Sequence, residues 1–156
     1  MFNPIEEVPS LGLCRMLKRM EFPQDTGGWY WVKTNIGWIL GYLLEPVNRY
    51  PNDYHFFFPI TQEICFINKN TPLYKAPTLR EVLEWLPTEI KYKDTTLYLE
   101  LERPDETQFL VSYCYDLFGE RICPLTFGDD NIINAPIKML IYLTHNGYIS
   151  FKQKEG

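Results

Sequence analysis

The sequence lacks any apolar run able to cross a bilayer. Its longest nearly apolar stretch, Ile36 to Leu44, is nine residues long, contains two glycines and is closed by Glu45, whereas a helical span needs about 20 residues. No membrane partner is therefore expected. The segment from Met1 to Ser10 has neither a basic n-region nor an apolar h-region, which argues against a secretory signal. No N-x-S/T sequon occurs either. Cysteine is sparse, at positions 14, 65, 114 and 123, with no C-x-x-C pair and no histidine close enough for a zinc knuckle. The expectation is buried free thiols in a reducing, cytoplasmic setting, with no metal. Positive charge is also short, with 15 Lys and Arg against 20 Asp and Glu and a formal net charge of −5. That balance counts against a nucleic-acid binder that works by neutralising phosphates. Motifs of the G-x-x-x-x-G-K-[ST], G-x-G-x-x-G, H-E-x-x-H and G-x-S-x-G types are missing, which removes the motif-bearing nucleotide, metalloprotease and hydrolase classes and leaves no cofactor to expect.

What the chain has in abundance is aromatic side chains: four Trp, eleven Tyr and ten Phe among 156 residues, of which 46% are apolar. This is enough to build a core, and the length is that of a single domain over 1–156. Residues 1–9 and 150–156 read as poorly ordered ends. Ser10 caps a helix to about Met20, in which Leu13, Met16, Leu17 and Met20 share a face and Arg15, Lys18 and Arg19 lie opposite. Trp29–Val32 and Trp38–Leu44 read as a hairpin. The proline-punctuated stretch 45–70 reads as an irregular excursion, with short strands at Tyr54–Phe58 and Glu63–Ile67 that belong at a sheet edge.

Thr78 and Glu81 form a capping box for a second helix, with Leu79, Val82, Leu83 and Leu86 as its buried stripe and Pro87 as its stop. A three-stranded meander follows at Ile90–Lys93, Leu97–Glu102 and Phe109–Tyr115. A last helix runs from about Ala135 to Asn146, with Asn134 as its N-cap and Gly147 as a left-handed stop. Without a recurring βαβ rhythm, the fold class is α+β: a mainly antiparallel sheet packed with three amphipathic helices in two or three layers.

The reactive residues do not assemble into a recognisable centre. His145 sits in the last turn of the third helix, where an imidazole suits the helix dipole. A Cys65–His55 nucleophile and base would need neighbouring strands, an orienting group and an oxyanion hole, and the last two have no candidate. Asp129 and Asp130 precede a helix, a context in which Asp and Asn bond their own turn backbone. No catalytic residue is assigned.

The aromatic crowd between Trp29 and Phe58 is the feature that points to function. In a strand, Trp29 and Trp31 face one way and Tyr30 the other. One set is core, and the other is free to contact a partner. Trp29, Trp31, Trp38, Tyr54 and Phe56 are the candidate binding residues. The reading is a non-enzymatic interaction or assembly module, with a protein partner or self-association. The alternative is a small-ligand or single-stranded nucleic-acid-binding domain in which Arg15, Lys18, Arg19 or Lys33 meets phosphate. An enzyme with a motif-free site ranks third.

Four pieces of the chain carry a likeness: Glu21-Phe22-Pro23-Gln24 closing the first helix, Trp29-Tyr30-Trp31-Val32, Ala76-Pro77-Thr78-Leu79, and the helix from Ala135-Pro136 to Asn146-Gly147-Tyr148. Over about half its length, the sequence resembles small uncharacterised proteins encoded by phages and mobile elements of gut bacteria. The resemblance implies an α+β sandwich of unassigned biochemical role. It transfers no catalytic or binding residue.

Overall fold

Ser10 starts the first helix by accepting a hydrogen bond from the Leu13 N–H at 3.4 Å, and α1 runs Leu11–Arg19. Its stop is a left-handed Glu21 (φ 69°). The Phe22 N–H reaches back to the Leu17 carbonyl at 2.9 Å, and that of Glu21 to Lys18 at 3.0 Å, the paired bonds of a Schellman motif. The computed structural model describes residues 8–44 and 52–151. The chain divides into two compact units, Met1–Thr78 and Leu79–Gly156, and every strand pairing in both is antiparallel. The architecture is α+β.

In the first unit, α1 is followed by β1 (Gly28–Thr34), β2 (Gly37–Leu43), β3 (Asp53–Phe58), β4 (Glu63–Asn68) and β5 (Leu73–Lys75). The hairpin expected at Trp29 and Trp38 is β1–β2. The excursion over 45–70 is more regular than its prolines imply: β3 is an interior strand and only β4 lies at an edge, while 45–51 fall outside the described residues. Strand order is β4-β3-β2-β1-β5, so β5 returns across the sheet to pair with β1.

Geometry then dictates a curl. A flat five-stranded sheet would hold its outer strands about 19 Å apart. The link from Asn68 to Leu73 turns back on itself, with the Thr71 N–H on the Asn68 carbonyl at 2.9 Å, and such a turn spans under about 7 Å. Two more residues add about 7 Å at most. The sheet must therefore bend its edges toward each other, and one cluster inside the bend joins Tyr30, Val32, Leu43, Phe56 and Phe58 to Ile67 of β4 and Leu73 of β5. Gly41 lies against this cluster, and a Cβ there would come within 2.8 Å of the Phe58 ring and 3.1 Å of Phe56.

In the second unit, α2 (Leu79–Trp85) precedes β6 (Glu89–Tyr92), β7 (Thr95–Asp105), β8 (Gln108–Leu117) and β9 (Glu120–Asp129), and α3 (Asn134–His145) follows. The meander has four strands, in sequential order. The fourth carries Pro124, whose missing N–H an edge strand tolerates, beside a register shift opposite Tyr113–Tyr115. Leu97, Val111, Tyr113 and Leu125 share the face that is buried along with Ile137, Leu140 and Leu143 of α3. The Tyr113 hydroxyl donates to the Pro87 carbonyl at 2.7 Å. Asn134 is the first helical residue rather than the cap; Ile133 holds the cap position without a side-chain bond, and Asn131 Oδ1 accepts from the Ile133 N–H instead, at 2.8 Å. The C-terminal stop is as expected, with Gly147 at φ 79° and the Tyr148 N–H on the Leu143 carbonyl at 2.9 Å.

The two hairpin tips Lys93–Asp94 and Phe118–Gly119 both have left-handed residue pairs, the conformation of a type I′ turn. Phe118 at φ 50° is 99% exposed, so it bears backbone strain without packing in return. Replacing it by Asn, which tolerates this conformation, is expected to stabilise the chain by about 1 kcal/mol in urea denaturation. Gly41→Ala is expected to destabilise it by about 1–3 kcal/mol in the same measurement, because the two phenylalanine rings cannot move aside cheaply.

Candidate functional site

The period of two in β1–β4 sorts the aromatic residues onto opposite faces; one is buried, and the other is covered around the tryptophans but leaves Tyr42, Ile64 and Phe66 exposed. Trp29 and Trp31 lie half-buried over a cluster of Val8, Cys14, Leu40 and Ala76. Trp31 Nε1 donates to the Pro9 carbonyl at 3.0 Å, so Val8 and Pro9 are fixed parts of this layer. Trp29 meets Tyr42 edge-on at 5.0 Å. Trp38 stacks on Tyr74 at 5.1 Å, with the Arg15 guanidinium 5.7 Å and 5.5 Å from the two ring centres. The three tryptophans thus share the face that α1 covers.

Tyr54 and Phe56 lie elsewhere. They belong to the cluster inside the curl, where Phe56 meets Tyr30 at 5.8 Å, Phe58 at 5.9 Å and Tyr54 at 6.0 Å. Together with Tyr30 they line a cavity of about 210 Å³. Its charged lining comes from Lys18, Lys69 and Asp25. The Lys18 ammonium donates to the Leu73 carbonyl at 3.1 Å, and that of Lys69 lies 5.5 Å from the centre of the Tyr54 ring. The five candidate residues therefore divide between two places, and Tyr54 and Phe56 are the ones that border this cavity.

One residue that the sequence reading passed over organises this region. Lys75 is 1% exposed. Its ammonium donates to the Gly27 carbonyl and lies 5.4 Å from the Tyr30 ring centre, while its backbone N–H donates to Gln24 Oε1 at 2.9 Å. The Tyr30 hydroxyl donates to the Gln24 carbonyl at 2.6 Å and accepts from the Gly27 N–H at 3.2 Å. The 24–28 loop is thereby wrapped around one lysine. Within the strand Leu73–Lys75, alternation places Lys75 on the same face as Leu73, but three residues are too few to reveal that strand in the sequence.

The reactive-centre candidates do not assemble. His55 is opposite Phe66 in the β3–β4 register and stacks on it at 4.5 Å, whereas Cys65 is opposite Phe56. Adjacent register positions face opposite sides of a sheet, so Cys65 and His55 are not a pair. Burial pushes the Cys14 thiol up to about 12, against a smaller downward pull from the Trp31 hydrogen bond, which leaves it inert as a nucleophile. Asp129 accepts from the Asn131 N–H at 2.9 Å and pairs with Lys138 at 2.7 Å. The cysteines differ from expectation: Cys14 and Cys65 are free, but Cys114 and Cys123 form a disulfide across β8 and β9. The register shift between these strands brings the two together, a feature that spacing alone does not reveal. No helix among the described residues is long and apolar enough to cross a membrane.

Comparison with protein-family models, with curated proteins and with solved structures finds no match.

Burial opposes ionisation of Asp129, but the bonds from Lys138 and from the Asn131 N–H outweigh it and hold its carboxyl below the usual carboxylate value. A lowered folded-state pKa contributes stability above the unfolded value, and that contribution is lost as pH falls through the folded value. Asp129→Asn is expected to cost about 0.5–1 kcal/mol near pH 7 and nothing once the wild-type carboxyl is protonated, as read by urea denaturation at neutral and strongly acidic pH.

Proposed function

We propose that this chain is a non-enzymatic interaction module whose first unit receives one large apolar or aromatic side chain from an acidic partner segment. The observation that carries this reading is the cavity lined by Tyr30, Tyr54 and Phe56 with Lys18 and Lys69 in its wall. At about 210 Å³ it is smaller than the about 300–1,000 Å³ of sites that enclose drug-sized ligands. That is the scale of a single anchoring side chain, the unit by which protein interfaces concentrate their energy. Two lysines against one aspartate favour acidic residues beside the anchor. This local balance is opposite to the chain's net charge of −5. We place the module in the cytoplasm because Cys14 and Cys65 stay free thiols, although the Cys114–Cys123 disulfide is unusual in a reducing compartment.

A second reading rests on a different place. Arg15 over the Trp38–Tyr74 stack, with the Lys18 ammonium 5.1 Å from the Tyr74 ring centre, has the ingredients of a platform for single-stranded nucleic acid.

The two separate in one set of titrations. Acidic pentapeptides with a central Trp, Phe, Leu or Ala are titrated against the full chain by isothermal calorimetry, alongside an oligothymidylate. The expected result is binding of the large-centred peptides, at least tenfold weaker binding of the alanine-centred one, and a similar loss in Tyr54→Ala and Lys69→Glu. Peptide binding indifferent to the central residue or to Tyr54→Ala would overturn the proposal. Oligothymidylate binding that falls steeply with salt and is lost in Arg15→Ala would put the second reading in its place.

A further inference from the structure

The face of the second unit's sheet opposite Leu97 and Val111 carries a cluster unrelated to the cavity, in which Cys114 and Ser112 are buried and Tyr98 is exposed. Tyr98, Glu100 and Glu102 alternate along β7 on the side opposite Leu97 and Leu99. On β8, Cys114 is opposite Tyr98, and Ser112 is opposite Glu100, which sets Glu100 diagonally beside Cys114. The register shift between β8 and β9 brings Cys123 to Cys114, with Cα atoms 4.1 Å apart. Both Sγ atoms and a Glu100 carboxylate oxygen all lie within 4.8 Å of one another. Arg121 forms an ion pair with Glu100, and its other terminal nitrogen lies 4.0 Å from Glu102.

We propose that reduction of this disulfide opens a metal site in which the Cys114 and Cys123 thiolates and the Glu100 carboxylate bind a zinc-class divalent cation, with water in a fourth position. Two molecules of a thiol reductant supply two electrons and two protons: the S–S bond breaks, both cysteines become thiols, and the reductant leaves as its own disulfide. The cation then displaces one proton from each thiol. Disulfide and metal are therefore alternative states of one site.

Size and charge both suit the cation. Tetrahedral zinc, with bonds of about 2.3 Å to sulfur and about 2.0–2.2 Å to oxygen, needs its ligand atoms about 3.5–3.8 Å apart. Starting separations within 4.8 Å require side-chain rotation rather than movement of strands. Two thiolates and a carboxylate carry three negative charges, and the cation with Arg121 supplies three positive ones. Arg121 stays beside the coordinating carboxylate and Glu102 as an outer partner, the role such groups play in fixing a ligand's orientation.

The test uses the full chain carrying Cys14→Ala and Cys65→Ser, so that the only thiols come from the proposed site. After reduction with a phosphine under argon, Co²⁺ is added and the sulfur-to-cobalt charge-transfer absorption is followed, with circular dichroism as a check on the sheet. The expected result is a band that saturates at one equivalent in the reduced chain, does not form in the oxidised chain and is abolished by added Zn²⁺. Cys123→Ser should remove the band, and Glu100→Gln should keep it while weakening Co²⁺ binding at least tenfold. Failure of the reduced, folded chain to give the band would overturn the proposal. So would an affinity indifferent to Glu100→Gln. Loss of the sheet signal on reduction would also overturn it, because strands that need the disulfide cannot present the ligands.

Discussion

Lys75 ties the last and shortest strand of the first unit to the loop that enters its first strand. Its backbone N–H is held by Gln24 and its ammonium by the Gly27 carbonyl and the Tyr30 ring. A buried ammonium is costly unless its protons are satisfied, so the 24–28 loop closes over it, and that loop in turn anchors the Tyr30 hydroxyl. With β5 fixed beside β1 and only four residues separating it from β4, the sheet has to curl. The cavity beside Tyr54 and Phe56 is the space left inside that curl. One cation, placed where a strand pattern would put a hydrophobe, thus shapes the candidate site.

Much of this architecture could be read directly from the sequence. Ser10 and the leucine spacing gave α1; Gly147 and Tyr148 gave the end of α3; the alternation from Leu97 to Glu102 gave β7. These features are local, and each is governed by contacts within a few residues. What escaped the reading was nonlocal. Leu73–Lys75 is too short to show a period, and it becomes a strand because β1 offers it an edge. Glu120–Asp129 contains Pro124 and Gly128, residues that argue against a strand until the edge position and the register shift are known. The Cys114–Cys123 disulfide depends on that same shift, so it was hidden for the same reason.

The site was half legible. The expectation that one aromatic set is buried and the other presented assumed that a sheet has one covered face. Here the curl covers one face, while α1 and the Val8–Pro9 segment cover the tryptophans on the other and leave Tyr42 and Phe66 of that face exposed. Tyr54 and Phe56 were named for belonging to the aromatic crowd, but they border the cavity because the curl packs β3 into one cluster with Leu73 of the returning β5, which no property of positions 54 and 56 alone encodes. The lysines came partly from view as well: Lys18 was noticed as one of a basic trio on α1, while Lys69 sat in a stretch read as irregular.

The four-residue passage between β4 and β5 also bears on how the cavity meets a guest. Because so short a bridge fixes the girth of the sheet, its walls have little freedom to spread around something larger or to tighten around something smaller. On the proposed reading, discrimination by such a chamber rests on calibre, and with its shape set before any encounter the entropy spent on ordering falls on the visitor.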